Sequence, residues 1–479
     1  MAKQKDNPNT KSRLIGTAIP VSALRSEKSI GVGEFADLAG FGDACVKLGI
    51  GLVQILPVND TGFDSSPYAA LTAFGLHPLY LRIEDINEAE SFSDEINDIR
   101  NRFNQEIRFP YEALLRAKIN LLKKIYGENK ALIMASPELI SWIDENPWVK
   151  SYSVFRQLKE ANGEKSWKDW AEYVNANPAQ IASLWEKSDL REGNLFWAWL
   201  QLNLDIQFTA AAESLTEKGI LLEGDLPILM NEDSCDVWAH RENFHLELSA
   251  GAPPDMYSPE GQNWGFPTYN WDAQSKDNFS WWKARLKAAE KYYDAYRIDH
   301  VLGFFRIWSS RREDHTALMG RYIPYNTVNI KDLKKLKYDE GRIRWITQPH
   351  ISTSDVWKAN ASDAFDTVLD RIGEEELWLF NKSIKCEKDI TSRNISDSAK
   401  GFLMREWGNR ILFEYKEDEF YPVWYYRESR AYASFSGEEK KEFDALLNER
   451  NTESEAIWEK EGRKLLSVLI ASSAMLPCA

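Results

Sequence analysis

The sequence predicts an α/β protein built on a parallel β-sheet. Its opening indicates strand, helix and strand: an apolar run over 13–20 stops at Pro20, a helical pattern follows, and a second apolar run covers 52–57. Strands joined through a crossover helix pair in parallel. Later in the chain, two more strand-like runs carry carboxylates near their C-terminal ends, Asp225 and Asp299.

The first helix is indicated by Phe35, Leu38, Cys45 and Leu48, which fall on or near one helical face, with Gly49 as a natural C-cap. The glycine-containing segment before it matches a loose G-x-G-x-x-A pattern. A polar loop precedes that segment where a dinucleotide site needs a strand, so no phosphate site is predicted there.

A helical insertion is predicted over 98–190. Leu115, Ile119, Leu122 and Tyr126 recur at helical spacing, and no strand pattern stands out. The tryptophans of this region are expected to serve packing.

The α/β alternation then resumes. The pattern predicts a helix over 195–218, a strand over 219–228, a helix over 281–291 and a strand over 296–299. These units carry both strand-end carboxylates.

Beyond the fourth strand the pattern changes. Residues 310–350 are polar and irregular, apolar positions between 365 and 380 suggest a helix, and 438–450 suggests another. An amphipathic helix over 456–470 leads into a last apolar run. The count is four strands with a fifth beginning, where a closed parallel barrel needs eight. The predicted segments are 13–97 (barrel start), 98–190 (helical insertion), 191–308 (barrel units with both carboxylates), 309–455 (a second, mostly helical insertion) and 456–479 (a helix and the start of the next strand).

Composition narrows the function classes. The 479 residues carry a formal net charge of −15, which argues against nucleic acid and anionic membranes as partners. Nineteen tryptophans offer flat apolar faces that suit sugar rings, although most tryptophans in any chain serve packing. Four dispersed cysteines, a polar start and no long apolar run predict a cytoplasmic protein with free thiols. The six histidines form no H-x-x-x-H pair, so neither a metal nor another cofactor is predicted.

Two loops are candidates for ligand binding. The polar loop 58–68 follows a predicted parallel strand, which is where such proteins keep their sites, although a plain crossover loop is the alternative. The segment 251–271 is dense in glycine, proline, aromatic and amide residues, as a neutral polyol ligand requires. An aromatic-cornered structural loop remains the alternative there.

The strand-end carboxylates suggest glycosyl chemistry, in which one carboxylate attacks the anomeric carbon and a second acid protonates the leaving oxygen. Arg297 lies two residues before Asp299 and therefore projects to the same side of the strand. Its charge would keep Asp299 ionised, as a nucleophile must be. Asp225 could bind a substrate hydroxyl. A purely structural Asp–Arg ion pair is the alternative.

At this point the motifs resemble the 4-α-glucanotransferases (amylomaltase or disproportionating enzyme, glycoside hydrolase family 77), most closely the plant cytosolic branch and its bacterial relatives. They occur in the family's order between about residues 16 and 308. The matching segments are 16–20, 31–35, 56–61, 66–68, 224–228, 251–255, 261–267 and 297–300.

The resemblance implies an interrupted (β/α)8 TIM barrel that uses no cofactor. Asp299 would be the nucleophile and Arg297 would orient it. The substrate would be an α-1,4-glucan such as maltose, maltodextrin or glycogen, transferred through a covalent glucosyl-enzyme; a homodimer is compatible with the sequence. By the same resemblance, the residues that would line the substrate subsites are Tyr68, Asp225, Asp255, Gln262, Trp264 and His300.

The sequence also departs from the family. The family's acid/base glutamate stands in a Glu-Asp-Leu-Gly motif at the next strand end, and 472–479 resembles only the lead-in to it. The starch-binding modules of the plant branch have no counterpart in the few residues before the first motif. A truncated chain with an incomplete barrel and little turnover is therefore expected. A glucan-binding fragment without catalysis and an α-glucan hydrolase are the alternatives.

Overall fold

The computed structural model describes residues 14–479. Arg13, at the start of the first predicted strand, and the polar N-terminal stretch lie outside the described residues. The chain divides into two units. The first comprises residues up to 243 together with 271–301 and 468–479, and the second comprises 244–270 and 302–467.

The elements are numbered in chain order. The strands are β1 (Gly16–Ile19), β2 (Leu52–Ile55), β3 (Leu221–Pro227), β4 (Phe244–His245), β5 (Leu248–Ala252), β6 (Gln262–Asn263), β7 (Thr268–Tyr269), β8 (Ala295–Asp299), β9 (Ile307–Arg311), β10 (Arg321–Ile323), β11 (Val328–Asn329), β12 (Ile351–Ser352), β13 (Leu369–Arg371), β14 (Leu377–Phe380), β15 (Leu412–Lys416), β16 (Glu419–Pro422) and β17 (Leu476–Cys478). The helices are α1 (Asp37–Leu48), α2 (Ser93–Phe103), α3 (Tyr111–Met134), α4 (Pro137–Glu145), α5 (Trp148–Ala161), α6 (Pro178–Glu186), α7 (Ser188–Glu217), α8 (Cys235–Ala239), α9 (Trp271–Lys276), α10 (Ser280–Ala289), α11 (Ile330–Lys335), α12 (Glu340–Thr347), α13 (Thr353–Lys358), α14 (Glu387–Thr391), α15 (Asp397–Trp407), α16 (Arg430–Ala433) and α17 (Gly437–Ala471).

The first unit is built on a five-stranded sheet in the order β1-β2-β3-β8-β17. Every neighbouring pair in it is parallel. This confirms the four predicted strands and the fifth that begins near the end of the sequence. Among residues 14–479, β1 and β17 form the two edges, so these strands make an open sheet.

The first crossover follows the predicted pattern closely. Helix α1 ends at Gly49, which adopts a left-handed conformation with φ 70° and donates its N–H to the last turn. The chain then enters β2, whose Val53 and Ile55 are fully buried. A glycine at this position relieves the steric cost that any other residue would meet.

The predicted helical region is confirmed as α2 to α6. Trp142, Trp167, Trp170 and Trp185 are buried in it, as packing tryptophans should be. Helix α7 begins at Ser188, earlier than predicted, because its first two turns are polar and carry no apolar periodicity.

The predicted loop before α1 contains a buried charge cluster. Glu34 is fully buried and accepts hydrogen bonds from Lys118 Nζ at 2.6 Å and from Arg82 Nε at 2.9 Å. Lys118 is also fully buried, and it donates a second bond to the carbonyl of Leu79 at 2.8 Å. Burial raises the pKa of Glu34, while the two cations act against that rise. The cluster ties α3 to the segment that precedes α1.

The second unit consists of small antiparallel sheets and helices. Its sheets have the orders β10-β9-β5-β6, β11-β16-β15, β12-β14-β13 and β4-β7. Segment 251–271, predicted as an irregular loop, therefore contributes short strands. Segment 310–350, predicted as irregular, contains two helices and two short strands as well as loops.

The helix predicted between 365 and 380 is wrong, because this segment forms the hairpin β13–β14. In this hairpin Leu369 pairs with Phe380 and Arg371 pairs with Trp378. The turn includes Gly373, whose φ is 52°. Apolar residues three to five apart mimic a helical stripe, but the contiguous run at 377–380 is typical of a strand. The two helices predicted near the end are one continuous helix, α17. Within residues 14–479, no helix has the length and apolar character needed to cross a membrane.

Replacing Lys118 with methionine is predicted to destabilise the chain by about 3–5 kcal/mol, because it leaves the Glu34 carboxylate short of a buried partner. The measurement is the free energy of unfolding in urea. Lys123→Met on the same helix, where the ion pair with Glu160 is exposed, should cost at most ~1 kcal/mol. Equal losses in the two variants would contradict a special role for the buried cluster.

Candidate active site

One guanidinium bridges the two predicted strand-end carboxylates. Arg297 Nη1 donates to Asp225 Oδ2 at 2.6 Å, and Nη2 donates to Asp299 Oδ1 at 3.0 Å. The expected pairing of Arg297 with Asp299 is therefore present. It extends to Asp225, on the neighbouring strand.

Strand pairing explains this geometry. In the parallel register of β3 and β8, Asp225 lies level with Arg297 and Pro227 lies level with Asp299. Residues 297 and 299 project to the same side of β8 because side chains alternate along a strand. The three side chains thus meet at the C-terminal edge of the sheet, the end at which parallel α/β proteins bind ligands.

Tyr68 completes the group from the loop that follows β2. Its hydroxyl donates to Asp225 Oδ2 at 2.9 Å. The loop is anchored by Asp60, which is buried and accepts from Tyr152 Oη at 2.7 Å and from Gly62 N at 2.9 Å. Burial works against ionisation of Asp60, but Arg156 and these hydrogen bonds lower its pKa overall. A charged anchor of this kind holds a binding loop in one conformation.

The two carboxylates differ in exposure. The Asp225 side chain is fully buried, whereas 38% of the Asp299 side chain is exposed. Burial raises the pKa of Asp225, although Tyr68 and Arg297 act in the opposite direction. Asp225 Oδ1 is buried and receives no hydrogen bond from the residues that the structure describes. An ion pair is therefore present, as the structural alternative supposes, but Asp299 stays accessible to a ligand.

His300 follows Asp299 in a left-handed conformation, with φ 58°. Burial lowers the pKa of its imidazole, and the neighbouring Asp299 opposes that shift. A non-glycine residue held at positive φ is uncommon and clusters at functional sites.

The other three predicted ligands belong to the second unit. Gln262 and Trp264 lie together, with Trp264 Nε1 donating to Gln262 Oε1 at 3.0 Å. Asp255 Oδ1 accepts from Tyr257 N at 2.8 Å and from Ser258 N at 2.7 Å, which closes a turn. The structure thus groups the candidate residues into two sets, one in each unit.

The residues that anchor the site from behind could not be predicted from the sequence. Asp60 and Tyr152 are 92 positions apart, and no spacing links them. Among residues 14–479, no group of three or more histidine, cysteine or acidic side chains is arranged to hold a metal ion.

Two carboxylates at the ends of parallel strands are groups that glycoside-active proteins use. Comparison with known proteins identifies the family. The family model described as 4-alpha-glucanotransferase, of glycoside hydrolase family 77, matches residues 19–348, and the chain belongs to this family.

Relatives agree with this assignment. The chain is 31% identical to the rice 4-alpha-glucanotransferase DPE2 over 97% of its own length and 51% of that protein. It is 36% identical to a 4-alpha-glucanotransferase of Chlamydia caviae over 61% of the chain and 56% of the relative. Among solved structures, an amylomaltase from Streptococcus agalactiae in complex with acarbose matches with a TM-score of 0.58 and 27% identity, covering 65% of this chain and 64% of that one. The chain therefore spans about half to two-thirds of the length of these relatives. The predicted α/β fold of the (β/α)8 type is confirmed by this structural likeness.

Arg297 and Asp225 are predicted to be energetically coupled, because removing the guanidinium leaves a buried carboxylate without its cation. The coupling is measured in a double-mutant cycle of Arg297→Gln and Asp225→Asn. The loss in free energy of unfolding in the double variant should be smaller than the sum of the two single losses by at least ~1 kcal/mol. Urea unfolding measures all four states. The exposed pair Arg116 and Glu112, taken through the same cycle, should show about 0.3–0.5 kcal/mol. Additive effects at the strand-end pair would contradict the coupling.

Proposed function

We propose that this chain provides the nucleophile side of a retaining 4-α-glucanotransferase site. Asp299 attacks the anomeric carbon of an α-1,4-glucan, and Arg297 orients it. Tyr68, Asp225 and His300 contact the sugar bound there. The observation that carries the proposal is the guanidinium of Arg297, which holds a half-exposed carboxylate beside a buried one.

The division of roles follows from the environments of the two carboxylates. An accessible carboxylate can act as a nucleophile, whereas a buried one with a spare acceptor oxygen suits a hydroxyl ligand. Asp299 has the first environment and Asp225 has the second. Asp255, Gln262 and Trp264 of the second unit are proposed to bind the glucan through a carboxylate, an amide and an aromatic face.

The wider setting is part of the same proposal. The substrates are neutral α-glucans such as maltose, maltodextrin or glycogen, and no nucleic acid or membrane takes part. The protein acts in the cytoplasm, without a cofactor, and a homodimer is compatible with it. The net charge of −15 supports a neutral ligand over a polyanionic one.

The acid/base step belongs, by the family resemblance, to a separate motif. The sequence contains no Glu-Asp-Leu-Gly segment, which the family resemblance assigns to that step. Loss of a general acid costs about 10²–10⁴-fold in rate. A donor substrate whose leaving group needs no proton therefore tests the nucleophilic attack independently of the general acid.

α-Maltosyl fluoride is predicted to label Asp299 covalently. The carboxylate oxygen forms a bond to the anomeric carbon while the C–F bond breaks, and fluoride leaves with the electron pair. The adduct persists as long as no general base activates an acceptor. Intact-mass spectrometry should show the gain of one maltosyl group, and peptide mapping should place it on Asp299.

Two variants and a second donor serve as controls. Asp299→Asn should abolish labelling, whereas Asp272→Asn, at an exposed aspartate of the same unit, should keep it. Maltotriose should react about 10²–10⁴-fold more slowly than the fluoride, because its leaving oxygen needs a proton. Binding of the fluoride without labelling would favour a glucan-binding protein. Rapid release of reducing ends without transfer products would favour a hydrolase.

A further inference from the structure

A cavity of about 640 Å³ in the second unit has an excess of positive charge. Two carboxylates line it, Asp370 and Glu414. The cationic side chains of this cavity, called the cationic cavity below, are Arg311, Arg371, Lys382, Lys385 and Arg410. Such a concentration of cations stands out in a chain with a net charge of −15.

Arg410 is the buried centre of the cavity wall, with only 6% of its surface exposed. Its Nε donates to the carbonyl of Trp407 at 3.0 Å and its Nη1 donates to that of Thr347 at 3.3 Å. Its Nη2 is buried and donates to no group within residues 14–479. Burial lowers the pKa of the guanidinium to about 9. A buried cation with an unused donor is costly unless an anion compensates it.

Arg311 brings a second positive charge to the same place. Both guanidinium groups lie over the ring of Phe413, at 4.7 Å for Arg311 and 5.1 Å for Arg410. The hydrogen bonds of Arg311 go to the backbone carbonyls of Lys385 and Glu414. No carboxylate of the described part of the chain forms an ion pair with any of the five cations. Asp314 favours the charged form of Arg410 only through space, so no direct carboxylate contact balances the five cations.

A structural role explains only part of this arrangement. Arg410 also stacks on Trp407, at 4.4 Å, which accounts for its packing. Stacking leaves Nη2 unsatisfied, and it gives no reason for the exposed Lys382 and Lys385 at the same cavity. Phe380 and Ile384 supply apolar wall for the uncharged part of a ligand. The volume falls within the ~300–1,000 Å³ that is usual for small-molecule sites.

We propose that the cationic cavity binds a phosphate-bearing small molecule. The phosphoryl oxygens accept from the exposed Lys382 and Lys385, and the positive charge of the buried Arg410 attracts the phosphate from the cavity wall. The apolar wall faces the rest of the ligand. All of its lining residues belong to the second unit and none is a strand-end carboxylate, so the proposal does not depend on the activity proposed for those carboxylates.

The test is calorimetric titration of the full chain with α-glucose 1-phosphate, inorganic phosphate and glucose. The double variant Lys382→Glu/Lys385→Glu changes exposed residues and should fold normally. It is expected to weaken binding of glucose 1-phosphate by at least about tenfold. The matched control Lys441→Glu/Lys460→Glu, at exposed lysines of the same unit, carries the same charge change. It should keep the affinity within about twofold.

The ligand series identifies the source of the phosphate. Tighter binding of glucose 1-phosphate than of inorganic phosphate supports a phosphorylated sugar, and equal binding supports the site with free phosphate as its ligand. Equal binding of glucose would overturn the proposal, because a neutral sugar needs no cations. It would also be overturned by no binding of either phosphate compound, or by equal weakening in the two double variants.

Discussion

The parallel pairing of β3 with β8 sets Asp225 level with Arg297, and the strand-end site depends on this register. A shift by one residue would turn Arg297 to the other face of the sheet and break both of its ion pairs. The guanidinium of Arg297 bonds one carboxylate on β3 and one on β8. These two bonds stabilise the same register that brings the three side chains together. Tyr68, on the loop that follows β2, donates a further hydrogen bond to Asp225. The site is therefore held both by strand pairing and by ion pairs.

Much of the first unit was predictable from the sequence, because its strands are short apolar runs bounded by glycine and proline. The same local patterns place Asp225 and Asp299 at strand ends, and side-chain alternation places Arg297 beside Asp299. Contacts between distant segments carry no such signal: Glu34 meets Lys118 across 84 positions. The prediction of a helix where β13 and β14 form a hairpin failed because the spacing of apolar residues alone does not distinguish the apolar stripe of a helix from two paired strands.

The second unit differs from the first in its strands and in the packing of its cores. Its strands are short and antiparallel, and its cores combine aliphatic and aromatic side chains, with arginines stacked on several of the rings. Arg410 over Trp407 and Phe413 is the most buried case. Arginines used this way tolerate burial because their flat faces pack while their edges still donate. At Nη2 of Arg410 one edge has no acceptor among the described residues, and this guanidinium is the buried charge of the proposed phosphate site.

The central claim is that Asp299 is the carboxylate that faces the reacting carbon. A crystal structure of the Asp299→Asn variant soaked with maltotriose tests it most directly, because this change keeps the shape of the site and removes the nucleophile. The account predicts an anomeric carbon within about 3–3.5 Å of the side chain at position 299, with a sugar hydroxyl on Asp225. A glucan ordered elsewhere on the chain, with the strand-end site filled by solvent alone, would contradict it.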